Sequence, residues 1–198
     1  MQINTNRLHY WFQAIRKSPD PMRTMDAFWQ GQLKSKEWLI RELRKNVKQF
    51  VSIDIHGGWV GVLASMLFQS TIPVKNIRSI DIDPTCEETA NMMNKAEEMV
   101  GRFRAVTADM CNIRSDADVI INTSCEHITQ DEYDLWLSGL PHNSLLVLQS
   151  NNYDIPEHIR WAKDLKEFEE QSHINVIWSG ELKTQLYTRY MIIGKASV

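Results

Sequence analysis

The chain has 198 residues, of which 43% are hydrophobic and 24% charged, and its formal net charge is −3. This composition is typical of a soluble globular protein, and the length favours one domain with an appendage. No apolar run approaches the ~18 residues needed to span a bilayer, and the first residues lack the basic-then-apolar order of a signal peptide. We therefore expect a cytoplasmic protein without a membrane partner.

Charge is distributed unevenly along the chain. Residues 1–48 contain ten Lys/Arg and four Asp/Glu, giving +6, whereas residues 49–198 contain twelve and twenty-one, giving −9. The basic segment fits either a surface facing an anionic substrate or nucleic acid, or a solvated helical face. An acidic chain without a long basic run argues against a dedicated DNA-binding protein, so nucleic acid is not the favoured partner.

The three cysteines, Cys86, Cys111 and Cys125, are odd in number and irregularly spaced. They match neither a disulfide framework nor a metal-binding motif. We therefore expect free thiols and no metal site.

Residues 1–48 predict a helical cap, or lid, packed on a second unit formed by residues 49–198. Four apolar side chains between Leu8 and Ile15 follow helical spacing, and the two prolines within residues 18–21 break that helix. A second, short helix carrying Met25, Phe28 and Trp29 follows, and Ser35 is the expected cap of a third helix.

From residue 49 the pattern alternates between strands and helices, which predicts βαβ units and a parallel sheet. The predicted strands are 49–55, 77–82, 103–107, 117–123 and 144–149. The predicted helices are about 59–69, 84–99, 129–138 and 156–171. Asp83 is the expected cap of the second helix, with Pro84 at its first position, and Thr129 with Glu132 has capping-box spacing for the third.

The last part of the chain predicts two further strands, 174–178 and 187–193. The linking segment, Ser179 to Thr184, is too short for a crossover helix, so these strands must pair antiparallel. The sequence thus predicts a Rossmann-like α/β fold. Its seven-stranded sheet is mostly parallel with an antiparallel last strand, and helices cover both faces.

Three acidic residues, Asp54, Asp81 and Asp109, each follow an apolar strand-like run at spacings of 27 and 28 residues. Successive parallel strands should bring them to the carboxyl edge of the sheet, where open α/β sheets bind ligands. Asp54 suits an ammonium group, and Asp81 suits both hydroxyls of a ribose. Asp109 suits either an adenine amino group or a cap for its own loop.

The first turn after a strand reads His56-Gly57-Gly58-Trp59. It lacks the G-x-G-x-x-G pattern that holds a pyrophosphate, and a nearby carboxylate would repel one. The two glycines allow a sharp turn close to a ligand, although double glycines also serve turns alone. Trp59 fits either stacking on a ligand or packing at a helix start.

Together these segments resemble the class I S-adenosylmethionine-dependent methyltransferases over about residues 49–195. The matching pieces are the glycine turn in 51–61, the acidic strand ends in 80–84 and 108–110, the fourth strand in 117–122 and the turn in 125–128, which resembles the family's frequent L-E-H turn. The antiparallel last strand also matches the family. The glycine turn departs from the family pattern. His56 replaces its first glycine, Val60 replaces its third unless Gly61 substitutes after a shift, and Trp59 occupies a normally small position.

The resemblance implies S-adenosyl-L-methionine as cofactor, held by Asp54, His56, Gly57, Gly58, Trp59, Asp81, Ile82, Asp109, Met110 and Asn122. It also implies in-line displacement at a sulfonium methyl, for which the protein mainly supplies proximity and orientation. His127 and Glu126 are the expected catalytic pair, with His127 as general base because imidazole changes charge near neutral pH. The alternative is that they only orient the donor's loop. Substrate contacts are expected from Gln149, Asn151, Asn152 and Tyr153, and His158 is a second candidate base.

The acceptor is expected to be a small polar molecule, with a nucleotide or a peptide end as alternatives. The turn from Asn122 to Cys125 lacks the Asn/Asp-Pro-Pro pattern of amino-directed nucleic-acid methyltransferases, and no Pro-Cys pair supports cytosine-C5 chemistry. Two other functions stay open: a nicotinamide-dependent oxidoreductase, and a non-catalytic S-adenosylmethionine-binding or interaction protein. The oligomeric state is also open.

Overall fold

The computed structural model describes residues 5–142 and 144–196, so residues 1–4 of the predicted cap and residues 197–198 of the second unit lie outside it. The helices are α1 (Thr5–Lys17), α2 (Pro21–Asp26), α3 (Gln30–Asn46), α4 (Val62–Phe68), α5 (Thr85–Met93), α6 (Lys95–Glu98), α7 (Gln130–Ser138) and α8 (Leu165–Ser172). The strands are β1 (Val51–His56), β2 (Val74–Asp81), β3 (Phe103–Thr107), β4 (Val119–Asn122), β5 (Leu145–Asn151), β6 (Ile174–Lys183) and β7 (Thr188–Ala196). A single 3₁₀ turn, Cys125–His127, follows β4.

The strands form one seven-stranded sheet in the order β3-β2-β1-β4-β5-β7-β6. The pairs among β1 to β5 are parallel, whereas β7 runs antiparallel to both β5 and β6. The predicted fold class is confirmed, including the antiparallel last strand.

Alternate strand residues face two separate hydrophobic layers, as the period of two requires. Ile121 and Val147 pack with residues of α3 and α4, whereas their neighbours Ile120 and Leu146 pack with residues of α7 and α8. Both faces of the sheet are therefore covered by helices, as predicted.

The N-terminal helices pack against the sheet domain at several points. Trp11 of α1 donates from Nε1 to Ser65 Oγ of α4 at 2.9 Å. In α3, Trp38 and Leu39 are buried in the layer that also contains strand residues. The predicted capping role of Ser35 is wrong. The helix already begins at Gln30, and the buried Ser35 hydroxyl donates to Gln149 Oε1 of β5 at 3.1 Å.

Two predicted helices differ in extent from the observed ones. The helix predicted for 156–171 begins only at Leu165, because Asp164 caps it by accepting from Glu167 N at 2.8 Å. The preceding loop directs its backbone N–H groups to other elements, with Arg160 N donating to Glu126 O and Ala162 N to Asn151 O, each at 3.1 Å.

The helix predicted for 84–99 is interrupted at Asn94. Its side-chain amide donates to Gly61 O and Ala90 O, each at 3.0 Å. Asp83 accepts from the backbone and hydroxyl of Thr85, and the capping box of Thr129 with Glu132 forms as predicted. In the described part of the chain, no helix combines the length and the apolar character that crossing a bilayer requires.

Candidate functional site

A cavity of about 850 Å³ lies at the carboxyl ends of the central parallel strands. One wall comes from residues that end or follow β1, β2, β3 and β4, namely Gly57, Asp81, Ala108 and Asn122. Residues of α2, α3 and the segment between them also line the cavity, including Arg23, Trp29, Gln32 and Lys36. The topology therefore places the cavity where ligands of open α/β sheets bind.

The turn after β1 has a left-handed backbone at two positions. Gly57 has φ 65°, and Trp59 has φ 48°, a conformation that is uncommon for a bulky residue. Gly58 N donates to Ile80 O at 3.0 Å, which brings the turn against the end of β2. A Cβ on Gly58 would lie 2.0 Å from Ser79 Oγ, so only glycine fits this approach.

Asp81, the last residue of β2, lines the cavity and holds two neighbouring segments. Its Oδ2 accepts from Trp59 N at 2.7 Å, and its Oδ1 accepts from Asp83 N at 3.0 Å. Because an ionised carboxylate has about four acceptor positions, two donors from a ligand can still be accepted.

Trp59 also lines the cavity, with its ring centroid 6.0 Å from the guanidinium carbon of Arg23. Its Nε1 is buried and has no hydrogen-bond partner among the described residues. Arg23 itself is paired with Asp83 at 2.6 Å. Trp59 and Arg23 therefore both line the cavity, and Asp83 compensates the charge of Arg23.

Asp109 caps its own loop, one of its two expected roles, and its contact with an adenine amino group stays a prediction. It lines the cavity, and its carboxylate also accepts from Cys111 N at 2.9 Å and from Asn112 Nδ2 at 3.0 Å. Ile82 and Met110 line the same region.

Asp54 does not line the cavity, which corrects its expected role toward an ammonium group. It lies within β1 rather than at the strand's end, since the strand continues to His56. Its buried carboxylate accepts from Arg78 Nε at 3.1 Å and Nη2 at 2.5 Å, and from Ser115 Oγ at 2.6 Å. Arg78 and Ser115 therefore compensate the negative charge of the Asp54 carboxylate within the protein.

His56 is also absent from the cavity, which corrects its predicted contact with the cofactor. It is fully buried, and its Nδ1 accepts from Trp136 Nε1 at 2.8 Å. Burial lowers the pKa of His56 to about 4, so the ring is neutral at physiological pH. The replacement of the family's first glycine is thus part of the packing between β1 and α7.

The second cluster of predicted residues lies at the ends of β4 and β5. Glu126, His127, Asn151 and Tyr153 all line the cavity. Glu126 is 3% exposed, and its Oε1 accepts from Asn151 Nδ2 at 2.7 Å.

Gln149 and Asn152 do not line the cavity, contrary to the expected substrate contacts. Gln149 Oε1 accepts from Arg189 Nε at 3.3 Å, so this buried amide positions the guanidinium of β7. Asn152 Oδ1 accepts from Thr188 N at 2.7 Å and holds the start of the same strand.

Two buried cations, Lys36 and Arg189, are functional candidates that the sequence reasoning missed. Arg189 Nη2 donates to Thr123 O at 2.5 Å and lies 3.7 Å from Glu126 Oε1. Lys36 Nζ donates to Gln32 Oε1 at 2.7 Å. Burial, and then the charge of Arg189, lowers the pKa of Lys36 to about 7. An arginine at the start of an otherwise apolar strand was a signal in the sequence, but nothing in the sequence joined it to α3.

No protein-family profile matches the sequence, and no curated protein matches it. Solved structures do resemble it. Magnesium protoporphyrin IX methyltransferase from Synechocystis PCC 6803 with bound SAH has 16% identity and a TM-score of 0.65, over 98% of this chain and 95% of that one. The PH0226 protein from Pyrococcus horikoshii OT3 has 12% identity and a TM-score of 0.63, over 85% and 93%.

A third similar structure is the mitomycin 7-O-methyltransferase MmcR, with 15% identity and a TM-score of 0.62, over 94% of this chain and 60% of that one. At such identities the likeness concerns the fold. The chain therefore has a class I methyltransferase fold.

Proposed function

We propose that the protein transfers a methyl group from S-adenosylmethionine to a small polar acceptor. The observation that carries this proposal is the position of Asp81, a carboxylate with free acceptor capacity at the end of β2, beside the turn from Gly57 to Trp59. A ribose needs an acceptor for two hydroxyls at such a strand end.

Other residues of the cavity fit the remainder of the donor. Asp109 retains acceptor positions for an adenine amino group, since only two donors occupy it. The cavity volume of about 850 Å³ lies within the range of about 300–1,000 Å³ that is usual for small-molecule sites.

The donor supplies an activated methyl group, and transfer breaks its C–S bond while a lone pair of the acceptor forms the new bond to carbon. The protein's task is therefore to hold the acceptor in line and to remove its proton. His127 is the proposed base. Asn151, Tyr153 and Arg189, which line the cavity, are the proposed acceptor contacts.

The positive charges of Lys36 and Arg189 favour a small acceptor with polar or anionic groups. Lys36 and Arg189 are both buried, and the carboxylate of Glu126 lies 3.7 Å from Arg189. Lys36 donates to the neutral side chain of Gln32, and a buried cation that lacks a carboxylate partner among the described residues favours an oxygen-rich ligand.

The first experiment is calorimetric titration of the protein with S-adenosylmethionine, S-adenosylhomocysteine (SAH, the donor after loss of its methyl group) and NAD in parallel. We expect micromolar binding of the first two and none of NAD. Binding of NAD alone would favour the oxidoreductase alternative. If the donor binds, small polar acceptors are then screened by SAH formation, and binding without turnover on any acceptor would favour the non-catalytic alternative.

A further inference from the structure

Glu126, His127 and His158 converge on one wall of the cavity. Each offers one ligand atom, and these three atoms all lie within 4.8 Å of one another. Glu126 and His127 belong to the turn after β4, whereas His158 belongs to the loop after β5. All three line the cavity.

Backbone carbonyls orient the two imidazoles. His127 Nδ1 lies 3.0 Å from Glu157 O, and His158 Nδ1 lies 2.7 Å from Tyr153 O. A carbonyl oxygen only accepts, so each Nδ1 carries the proton, and in the neutral ring Nε2 keeps a free lone pair. Histidines that bind metals commonly donate their other ring N–H to such a carbonyl.

Glu126 supplies a charge that the protein does not fully satisfy. Its Oε1 accepts from Asn151, but its Oε2 is buried and has no hydrogen-bond partner within residues 5–142 and 144–196. Arg189 lies 3.7 Å from Oε1 and donates to Thr123 O and Gln149 Oε1. A buried carboxylate oxygen without a partner is costly, and a cation between Glu126 and the two imidazoles would remove that cost.

We propose that Glu126, His127 and His158 bind a divalent first-row transition ion. Two imidazoles and one carboxylate favour ions such as Zn²⁺, Mn²⁺, Fe²⁺ or Co²⁺ over Mg²⁺ or Ca²⁺. Three protein ligands leave coordination positions open, and all three of these residues line the cavity. His158 follows His127 by 31 positions, which exceeds the spacing of a local motif. This site therefore runs against the expectation of no metal drawn from the cysteines.

The open positions give the ion a role that rests on the proposed function. An acceptor oxygen bound to the ion would be held in the cavity beside Glu126, His127 and His158, and the ion would favour loss of its proton. His127 would then serve as a metal ligand instead of a free base, because its Nε2 lone pair is committed to the ion.

The test is titration of the metal-free protein with Co²⁺, followed by calorimetry and by the visible absorption of the bound ion. We expect one Co²⁺ per chain. His127→Ala, His158→Ala and Glu126→Gln should each weaken binding by more than about 100-fold, because even loss of an outer-shell partner costs about 10–100-fold. His142→Ala is the matched control, since His142 is exposed and does not line the cavity.

SAH titration and melting temperature are measured on every variant, so a folding defect is separated from loss of a ligand. Absence of Co²⁺ binding by the wild type, or binding unchanged in all three variants, would overturn the metal site. SAH binding without Co²⁺ binding rejects the metal site and leaves the proposed function standing. The protein could instead bind Co²⁺ through all three ligands and fail to bind SAH. That result would support the metal site and reject the proposed use of S-adenosylmethionine as methyl donor.

Discussion

Replacement of Asp81 by alanine tests the donor site most directly. The carboxylate is proposed to accept from two ribose hydroxyls, and a hydrogen bond to a charged group contributes about 1.5–3 kcal/mol. Loss of two such bonds amounts to about 3–6 kcal/mol, and each 1.4 kcal/mol is tenfold in affinity. We therefore expect the Kd for SAH to rise at least about 100-fold.

The same change also removes two internal hydrogen bonds, from Trp59 N and Asp83 N. Leaving them unpaired should cost about 1–3 kcal/mol of stability, so a stability control is needed. Asp118→Ala is matched to it, because the Asp118 carboxylate accepts from Ser52 N at 2.8 Å and Ser52 Oγ at 2.7 Å but does not line the cavity.

SAH affinity is measured by calorimetry and stability by thermal unfolding for both variants. We expect both to lower the melting temperature, and only Asp81→Ala to weaken SAH binding. Equal SAH affinity in Asp81→Ala and the wild type would refute the assignment of the ribose site. An equal loss of affinity in Asp118→Ala would show that general destabilisation, and not a lost contact, explains the effect.

Three further predictions concern the buried polar groups. Burial lowers the pKa of Lys36 from 10.5 to about 7, so between these values the unfolded state binds more protons. The free energy of unfolding of the wild type should therefore rise with pH between about 7 and 10.5, relative to that of Lys36→Met. If the free energies of unfolding of the two proteins changed with pH by the same amount, the prediction would be wrong. Trp136→Phe leaves His56 Nδ1 without its donor and should cost about 1–3 kcal/mol, read from urea unfolding; unchanged stability would contradict a structural role for this bond. Gly58→Ala should destabilise the turn because its Cβ would meet Ser79 Oγ, and Ser79→Ala should partly restore stability; the absence of any rescue would place the strain elsewhere.

The sequence predicted the features that depend on local pattern. Alternating apolar runs predicted the parallel strands, and the short segment between the last two strands required an antiparallel pair, as observed. The position of Asp81 at the end of its strand was also readable, because the apolar run stops there. The capping box of Thr129 and Glu132 formed as predicted, since its hydrogen bonds involve only neighbouring residues.

Asp54 shows where local pattern stopped being sufficient. The apolar run before it suggested a strand end, but β1 continues for two more residues and pairs with β2 along that length. The register places Asp54 opposite Arg78, and the two side chains form an ion pair. Only the neighbouring strand decides whether such a carboxylate faces a ligand or a buried partner.

By itself, therefore, the sequence determined the fold class and the strand end that carries Asp81, because periodicity, turn length and chain connectivity are local properties. The tertiary structure alone decided which polar groups share the cavity. Lys36, Glu126, His158 and Arg189 come from four separate segments and meet only after the sheet and its helices have packed. Their burial and mutual charges, which control their chemistry, arise from that packing.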